Sequence, residues 1–460
     1  MASRALVIGL DSAPPELLFE RWRHELPTIR ALVERGTYGV LRSCDPPITV
    51  PAWATMTSSR SPGVLGVYGF RNRRSRSYDD LAIADSRSVR VPRVWDLLSA
   101  RGRPVVVLGV PQTYPVSRVS GVMVAGIVAP ARERVQYTYP AELQKEIEEL
   151  VGRYLIDVEE FRTDDKDALL AAIEEMTERR FAVAEHLLAT RPWDLFFMVE
   201  IGPDRLHHGF WRFFDRDHRL YEPGNRFERA ALDYYRRLDA KLARLLRFTD
   251  ADTAVLVVSD HGAKRMDGGI CVNEWLRREG YLVLKHDPLG PTRFSPDLVD
   301  WSRTRAWGEG GYYCRLFLNV AGREPEGTVS GTDYERLRTE LKGKLEALGD
   351  PEGRPIGTIA HRPEELYPVR NGIPPDLLVY FGDLWWRSLG QVGTDAIHAF
   401  ENDTGPDDAN HAHEGVYVLA SKDVTPGPGE ERDLRDVAPT ILHLLGEEIP
   451  VEMEGRPLTP

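Results

Sequence analysis

The stretch Ala5-Leu6-Val7-Ile8-Gly9-Leu10, followed directly by Asp11, decides the fold class that the sequence predicts. A second stretch of the same kind, Ala254-Val255-Leu256-Val257-Val258-Ser259, is followed by Asp260-His261-Gly262. Apolar runs of this length are typical of strands buried on both faces, which occur in parallel sheets covered by helices. In such sheets the functional site lies at the carboxyl ends of the strands. The polar residues that close both runs therefore predict an active site at that edge.

Strand and helix signals alternate along much of the chain. The strand-like stretch Thr37–Leu41 follows two helical stretches, and buried strands are predicted at Pro104–Val110 and Trp193–Glu200. This alternation is the βαβ rhythm of a doubly wound sheet. The sequence therefore predicts an α/β fold in which a doubly wound, mostly parallel sheet is flanked by helices.

Candidate metal ligands are spread over almost the whole chain, from Asp11 to His411. If they share one site, a single sheet must be assembled from nearly all of the sequence. We therefore predict one catalytic domain over residues 1–460, although a chain of this length would often form roughly three domains. Two inserted segments are predicted within it, a helical one at about 127–190 and a small α+β subdomain at about 268–366. Strands predicted at Asp376–Phe381 and Gly415–Ala420 then resume the main sheet.

The composition excludes some classes of function. Because the formal net charge is −12, the chain is not expected to bind a nucleic-acid polymer. No apolar run reaches the roughly 18 residues that a membrane span needs, and the N-terminus lacks the pattern of a signal peptide. Cys44, Cys271 and Cys314 are odd in number and far apart, which favours a reducing compartment. We therefore predict a cytoplasmic protein, and the sequence leaves its oligomeric state undefined.

Six side chains have the chemistry of metal ligands: Asp11, Asp204, His208, Asp260, His261 and His411. Asp260 and His261 are adjacent at the end of a predicted strand, so both can reach one ion. Asp204 and His208 are four residues apart and would share one face of a helical turn, which suits a second ion. Carboxylate oxygen combined with imidazole nitrogen matches Zn²⁺ or Mn²⁺.

Each of these signals also has a purely structural interpretation. Asp11 could cap the turn after its strand, and Asp204 with His208 could form an exposed polar turn. His413 competes with His411, because both histidines precede a predicted strand. It is the joint occurrence of all these residues that favours a site.

Thr49 and Trp211 likewise allow two interpretations. Thr49 stands two residues before Pro51 at a predicted helix start. Its hydroxyl would either act as an N-cap or lie beside a phosphate held at the positive end of the helix dipole. Trp211 belongs to the aromatic stretch Phe210–Phe214, which would form either a substrate wall or ordinary core packing.

Several longer motifs occur in a fixed order along the chain. They are Val7-Ile8-Gly9-Leu10-Asp11, Ile48-Thr49-Val50-Pro51-Ala52-Trp53, Pro203-Asp204-Arg205-Leu206-His207-His208, Val258-Ser259-Asp260-His261-Gly262 and His411 with Glu414-Gly415-Val416. The ordered set resembles the alkaline phosphatase superfamily, specifically its type I phosphodiesterase/nucleotide pyrophosphatase branch. Within that branch it is similar to prokaryotic phosphohydrolase/phosphomutase-like proteins. The resemblance covers most of the chain and implies an alkaline-phosphatase-like core with inserted cap segments.

The resemblance implies a metal-dependent phosphoric ester hydrolase with two divalent metal ions, Zn²⁺ being expected and Mn²⁺ the alternative. One ion would be held by Asp11, Thr49, Asp260 and His261, and the other by Asp204, His208 and His411. Thr49 falls where this branch keeps its nucleophile. This implies a phosphodiesterase or nucleotide pyrophosphatase that acts on a small phosphate ester through a phospho-threonine intermediate. His411 is preferred to His413 because its spacing to Glu414-Gly415 fits the branch.

The sequence departs from the branch at the side chain that binds a phosphate oxygen. Nucleotide pyrophosphatases have an asparagine shortly after the nucleophile segment, and Asn72 is the nearest candidate, slightly out of register. Arg71 and Arg73 would instead bind a non-bridging phosphate oxygen, which would favour a monoester as the substrate. We therefore take Asn72 as a catalytic candidate, and Arg71, Arg73 and Trp211 as candidates for substrate binding.

Alternative functions stay open at this point. A phosphomonoesterase is one, and a phosphomutase, which returns the phosphate from its nucleophile to the product, is another. A third is a phosphonate or phospho-headgroup transferase, in which an alcohol replaces water as the acceptor. Phosphomutases of the related branch normally use serine where this chain has Thr49. A sulfatase is disfavoured, since it would need cysteine or serine at that position and arginine in place of Trp53. A non-enzymatic metal-binding protein ranks last, because all seven expected ligand positions are filled.

Overall fold

The computed structural model describes residues 2–130 and 135–458. Its strands are β1 (Arg4–Leu10), β2 (Thr37–Arg42), β3 (Arg71–Arg73), β4 (Leu81–Ile83), β5 (Val105–Leu108), β6 (Gly121–Val124), β7 (Thr138–Tyr139), β8 (Leu195–Glu200), β9 (Thr253–Val258), β10 (Gly262–Arg265), β11 (Gly268–Cys271), β12 (Thr292–Arg293), β13 (Ala306–Glu309), β14 (Cys314–Leu318), β15 (Ile359–His361), β16 (Leu377–Tyr380), β17 (Trp386–Leu389), β18 (Gln391–Val392), β19 (His398–Ala399), β20 (Ala409–Ala412), β21 (Glu414–Ala420), β22 (Gly427–Pro428) and β23 (Arg432–Asp433). Its α-helices are α1 (Pro27–Arg35), α2 (Thr49–Ser58), α3 (Pro62–Leu65), α4 (Val94–Ala100), α5 (Leu143–Val151), α6 (Lys166–Thr190), α7 (Gly202–Phe214), α8 (Ala230–Leu245), α9 (Val272–Arg278), α10 (Tyr334–Glu346), α11 (Pro363–Leu366) and α12 (Val437–Leu444).

Ten of these strands form one large sheet in the order β22-β2-β21-β9-β1-β8-β5-β6-β7, with β23 also paired to β2. The central strands, from β9 to β6, run parallel, whereas β21 and β7 join them antiparallel. The prediction of a mostly parallel α/β sheet is therefore confirmed. Because β1 pairs with β8 and β9, which are far from it in sequence, the centre of the sheet unites distant parts of the chain.

Both faces of the central sheet are buried, which explains the wholly apolar runs. In β1, Leu6, Ile8 and Leu10 belong to the core on one face, and Ala5 and Val7 belong to the core on the other. Helices α1, α5, α6, α7 and α8 contribute to the first core, and α2, α4 and α12 to the second. Full burial of one aliphatic side chain contributes roughly 1.5–3 kcal/mol, so the two cores make the sheet a stable support for the residues at its edge.

The chain after Gly268 forms a smaller body with a core of its own. It contains the four-stranded sheet β13-β14-β16-β15 and the three-stranded sheet β17-β11-β19. Its core extends from Ile270 to Trp386, so the subdomain predicted at about 268–366 continues beyond that boundary. The reason is that β16 pairs with β14 and β15 instead of joining the large sheet.

The segment predicted as a helical insertion, at about 127–190, packs into the main body. Residues 131–134 of this segment lie outside the described residues. β7 extends the large sheet by pairing with β6, and α5 and α6 pack in the core on one face of that sheet. The loop between α5 and α6 carries Asp157, which binds Arg205, and Arg162, which binds Asp407. Both partners lie next to candidate metal ligands.

Within residues 2–130 and 135–458, no helix is both long enough and apolar enough to cross a membrane. Helix α6 has the length, with 25 residues. Charged side chains such as Glu174, Glu175 and Arg179 interrupt it, however. These charged side chains lie on one face of α6, and the opposite face packs on the sheet through residues such as Ile173.

Candidate active site

The central strands β1 and β9 position the first pair of acidic side chains. They run parallel, with Gly9 opposite Val258, so Asp11 and Asp260 leave the same edge of the sheet. Both carboxylates are fully buried. Gly9 has to lack a side chain, because a Cβ atom there would clash with the ring of Trp53, which reaches Asp11.

Helix α7 and strand β20 bring in the second set of side chains. Helix α7 begins just after β8, and its first two turns present Asp204 and His208 on one face. His411 lies on β20, which pairs antiparallel with β10 so that His411 is opposite Ala263. This pairing brings His411 next to His261, although the two histidines are distant in sequence.

Asp11, Thr49, Asp260 and His261 form a group that we call the first cluster. The Nε2 atom of His261 lies 3.7 Å from Oδ1 of Asp11 and 3.3 Å from Oδ2 of Asp260. The same Nε2 atom lies 3.2 Å from Oγ1 of Thr49. Four atoms able to bind a metal thus surround one small volume, and their residues are 3% exposed or less.

Asp204, His208 and His411 form the second cluster. Oδ1 of Asp204 lies 3.4 Å from Nε2 of His208 and 3.7 Å from Nε2 of His411. The two Nε2 atoms are 3.3 Å apart, and two unprotonated nitrogens this close repel each other unless a proton or a cation lies between them. The rings of His261 and His411 stack with centroids 3.8 Å apart, so the two clusters are direct neighbours.

Each of the three carboxylates has one oxygen bonded to a protein donor and one oxygen without a partner. The bonded oxygens accept from Nε1 of Trp53 at 2.7 Å for Asp11, from Nη1 of Arg205 at 2.5 Å for Asp204 and from the N–H of Ser12 at 3.2 Å for Asp260. Among the described residues, no donor binds Oδ1 of Asp11, Oδ1 of Asp204 or Oδ2 of Asp260. These are the same atoms that face the histidines. Because a buried carboxylate oxygen without a partner is costly, these three oxygens fit a cation.

The three imidazoles are oriented in a common way. Nδ1 of each one donates a hydrogen bond: His261 to the carbonyl of Gly262 at 2.9 Å, His411 to the carbonyl of Pro47 at 2.8 Å and His208 to Oδ1 of Asp407 at 2.7 Å. A carbonyl or carboxylate oxygen can only accept, so the Nδ1 atoms carry protons. Nε2 is then the nitrogen available to a metal, as in most histidine metal sites.

The electrostatics of the two clusters also favour bound cations. Burial and the charge of Asp204 raise the pKa of Asp11 well above its ordinary value, and burial and the charge of Asp11 do the same for Asp260. Burial would raise the pKa of Asp204 as well, but His208 and Arg205 outweigh it and hold this pKa well below the usual range. Divalent cations offset such a concentration of buried negative charge. With oxygen and nitrogen donors together, the residues of both clusters fit divalent metal ions.

Metal binding is expected to release protons, so the metal affinity should rise with pH. Burial alone would lower the pKa of His208, but the carboxylates of Asp407 and Asp204 outweigh it and raise this pKa well above its ordinary value. His208 therefore holds a second proton up to higher pH than a free imidazole does, and coordination through Nε2 displaces that proton. Calorimetric titration in two buffers of different ionisation enthalpy should therefore give different heats. Equal heats in both buffers would contradict the release of protons on metal binding.

Thr49 is the first residue of α2, and Ile48 occupies the N-cap position. Thr49 is therefore not the N-cap residue of α2. Its hydroxyl faces Nε2 of His261 and does not cap a backbone N–H. The first N–H groups of a helix have no partner within the helix and carry the positive end of its dipole. The start of α2 thus offers a phosphate both a hydroxyl and backbone donors.

Asn72 and Arg71 lie in strand β3, where no contact of either side chain with the two clusters is seen in the described residues. Oδ1 of Asn72 accepts from the N–H of Tyr68 at 2.7 Å, and its Nδ2 donates to the carbonyl of Gly69 at 2.9 Å. The side chain of Arg71 is exposed. The carboxamide of Asn72 thus closes a local turn. It lies away from the candidate metal ligands of the two clusters.

Arg73 and Trp211 are also engaged elsewhere. Arg73 is buried, lies 3.4 Å from Glu324 and stacks on the ring of Trp307 in the smaller body. Trp211 donates from Nε1 to Asp215 at 2.8 Å and packs in the main core. The contacts of Trp211 agree with the core-packing interpretation of the aromatic stretch.

His413 lies between β20 and β21, where the chain passes from one sheet to another. Its Nε2 lies 3.0 Å from Oδ1 of Asp45, which also accepts from the hydroxyl of Tyr380 at 3.0 Å. The geometry therefore brings His411 into the second cluster and leaves His413 outside it.

Four residues that support the clusters were not identified by the sequence analysis. They are Trp53, Arg205 and Asp407, with the hydrogen bonds given above, and Tyr312, whose ring stacks on His411 with centroids 3.9 Å apart. Trp53 and Arg205 lie inside the quoted motifs, and Asp407 precedes His411 by four residues. Proximity in sequence was the available signal for these three, but their roles follow from contacts between distant segments.

The large, mostly parallel sheet flanked by helices is an alkaline-phosphatase-like fold. The sequence matches the type I phosphodiesterase/nucleotide pyrophosphatase family over residues 5–407. The chain belongs to this family, which confirms the resemblance found in the sequence.

Solved structures similar to this chain share its fold at low sequence identity. Murine ectonucleotide pyrophosphatase/phosphodiesterase 5 is 13% identical with a TM-score of 0.55, and the match covers 97% of this chain and 96% of that chain. Phosphonoacetate hydrolase from Sinorhizobium meliloti, in complex with phosphonoformate, is 16% identical with a TM-score of 0.61, covering 97% and 95%. The 2,3-bisphosphoglycerate-independent phosphoglycerate mutase of Shewanella oneidensis is 50% identical over 56 residues. That match spans 12% of this chain and 10% of the mutase, so it is a local one.

Proposed function

We propose that this chain is a metal-dependent phosphoric ester hydrolase, of phosphodiesterase or nucleotide pyrophosphatase type, that works through a phospho-threonine intermediate on Thr49. The observation that carries the proposal is the position of Oγ1 of Thr49, 3.2 Å from Nε2 of His261 and at the start of α2. This position puts the hydroxyl of Thr49 beside two groups of side chains that fit divalent cations. Membership of the family supports the same class of reaction.

The side chains divide the work of the reaction between the two clusters. The first cluster and the second cluster would each hold one cation, which we propose to be Zn²⁺ with Mn²⁺ as the alternative. When bound, the cations supply positive charge that favours an ionised Thr49 hydroxyl and stabilises the phosphate oxygens. Oγ1 of Thr49 gives up its proton and forms a bond to phosphorus while the bond from phosphorus to the leaving oxygen breaks, and that oxygen takes up a proton from water to leave as the alcohol. Water then attacks the phospho-threonine, releases the phosphate product and restores the hydroxyl.

The proposed substrate is a small phosphate ester whose non-bridging oxygens face the start of α2. The N–H groups there can donate to those oxygens. Murine ectonucleotide pyrophosphatase/phosphodiesterase 5 has been solved with AMP as an inactive threonine-to-alanine variant, with 12% identity and a TM-score of 0.56 to this chain. That variant supports a nucleophilic threonine here, and its ligand supports a substrate of nucleotide size.

A phosphomutase is the second candidate, and one observation favours it. The local match of 56 residues is with phosphoglycerate mutases. A mutase would keep the phosphate on Thr49 and return it to the product, whereas a hydrolase transfers it to water. The third candidate, a phosphomonoesterase, rested on Arg71 and Arg73, and the buried contacts of Arg73 do not favour it.

The compartment that we propose is the cytoplasm. Cys44, Cys271 and Cys314 are buried thiols without a disulfide, as expected in a reducing compartment. Fractionation of the source cells, followed by detection of the protein, would test this assignment, and recovery outside the cytoplasm would contradict it.

The hydrolase assignment predicts turnover of bis(p-nitrophenyl) phosphate that depends on added metal. Metal-stripped protein should be inactive, and Zn²⁺ or Mn²⁺ should restore a kcat/KM that is higher for this diester than for p-nitrophenyl phosphate. A higher kcat/KM on the monoester would identify the protein as a phosphomonoesterase. Transfer of phosphate between alcohols without hydrolysis would turn it to a mutase. Two bound metals without turnover of any ester would contradict an enzymatic role.

A further inference from the structure

The carboxylate of Asp407 links a candidate metal ligand to two parts of the chain that lie outside the clusters. Its Oδ1 accepts from Nδ1 of His208 at 2.7 Å. Its Oδ2 accepts from Nε of Arg162 at 2.9 Å and from Nη1 of Arg387. The side chain of Asp407 is fully buried, so water does not compete for these contacts.

Of the three histidines in the clusters, His208 alone has a carboxylate at Nδ1, since His261 and His411 donate to carbonyl oxygens. A carboxylate in this position fixes the orientation and the tautomer of the ring and makes the other nitrogen a stronger donor to a metal. Nε2 of His208 is thereby directed at Oδ1 of Asp204 and Nε2 of His411. The second cluster thus has a charged support that the first cluster lacks.

Arg162 and Arg387 reach Asp407 from different segments, the loop between α5 and α6 and strand β17 of the smaller body. Both arginines also contact Tyr312. Nη2 of Arg162 donates to the Tyr312 hydroxyl at 3.1 Å, and the guanidinium of Arg387 lies 4.5 Å from the centre of its ring. Tyr312 in turn stacks on His411. The same two arginines therefore brace both histidines of the second cluster.

We propose that Asp407 is a positioning residue for the second cluster, and that Arg162 and Arg387 hold its carboxylate against His208. The affinity of the second cation then depends on contact between the smaller body and a loop of the main body. The first cation depends mainly on the edge of the large sheet. This inference rests on the proposed function, because it takes the second cluster to be a metal site.

The test is the Zn²⁺ affinity of Asp407→Asn, measured by metal analysis in solutions of buffered free Zn²⁺. An amide has one acceptor oxygen, so it cannot accept from His208 and from the arginines at once. If its NH₂ group faces Nδ1 of His208, the ring is held in the wrong tautomer. We expect the affinity for the second cation to fall by about 10- to 100-fold, while the first cation binds as in the wild type.

Asp376→Asn is the matched control. Asp376 is also buried and accepts from Arg323 at 2.7 Å in the smaller body. Asp376→Asn therefore also removes the charge of a buried carboxylate that is paired with an arginine, at a place away from the two clusters. This control should bind both cations normally. If Asp407→Asn lowered the affinity for both cations equally, or if Asp376→Asn had the same effect, the role of Asp407 would be a general structural one. Either result would overturn the proposal.

A second variant keeps the test decisive if Asp407→Asn does not fold. The side chain of Arg162 is 20% exposed, and Arg162→Met removes its hydrogen bond to Asp407 while leaving His208 in contact with the carboxylate. We expect a smaller loss of second-cation affinity in the same direction, and an unchanged affinity would count against the proposal.

The wild-type protein separates this inference from the proposed function. If it binds fewer than two cations at saturation, the two-metal function fails and the role of Asp407 falls with it. If it binds two cations and Asp407→Asn binds both with unchanged affinities, the positioning role fails while the two-metal function stands.

Discussion

Thr49→Ala is expected to lower kcat by at least about 10³-fold, because removal of a covalent nucleophile eliminates the reaction path that depends on it. The hydroxyl faces Nε2 of His261 and caps no backbone N–H, so its removal should leave the start of α2 intact. Both cations should still bind, since the carboxylates and imidazoles of the two clusters remain. The measurement is steady-state hydrolysis of the preferred ester together with metal analysis of the purified variant.

Two variants control for the effect of Thr49→Ala. Thr49→Ser keeps a hydroxyl at the same position and should retain measurable turnover and form a phospho-serine. Thr57 lies later in the same helix and donates to the carbonyl of Trp53 at 2.7 Å, so Thr57→Ala removes a buried hydroxyl without touching the clusters. It should remain active. Near-normal turnover of Thr49→Ala would refute Thr49 as the nucleophile.

Most of the candidate ligands could be found in the sequence because they stand at recognisable places in their elements, whereas the choice of His411 over His413 came from the family resemblance. Asp11 and Asp260 close apolar runs, and Asp204 and His208 share the spacing of one helical turn. The carboxyl ends of parallel strands meet at one edge whatever their order, so a shared site follows without knowledge of the topology. The order itself, with β1 between β8 and β9, depends on pairings between distant segments that the sequence does not show.

Residues that act through partners in other segments could not be placed from the sequence. Arg73 pairs with Glu324 because the smaller body docks there, and that docking follows from no local pattern. Asp407 has its role only when a helix, a loop and strand β17 converge on it. Asn72 lies close in sequence to Thr49, but both ends of its carboxamide are hydrogen-bonded to the backbone of the adjacent turn.

The boundary of the smaller body illustrates the same limit. The apolar stretch around β16 has the pattern of a buried strand, which is compatible with the large sheet and with a separate one. The structure pairs β16 with β14 and β15, and its residues Leu377 and Val379 belong to the core of the smaller body. Periodicity thus identified the element, while the choice of sheet depended on partners far away in sequence.

His411→Ala and His413→Ala form the pair of variants with the sharpest contrast in this structure. His411 contributes Nε2 to the second cluster, 3.7 Å from Oδ1 of Asp204 and 3.3 Å from Nε2 of His208. Its removal should lower the affinity for the second cation and lower kcat/KM by at least about 10²-fold, since loss of a direct ligand costs at least as much as loss of a residue that supports one. His413 binds Asp45 outside the cluster, so His413→Ala should keep both cations.

Metal content and kcat/KM of the two variants, measured side by side, decide between the histidines. The two changes remove the same side chain, two residues apart, so a general effect on folding would appear in both. Loss of one cation in His411→Ala alone would agree with the geometry of β20 opposite β10. Loss in His413→Ala alone would mean that the chain between β20 and β21 rearranges when metal binds. It would then be His413 that completes the second cluster.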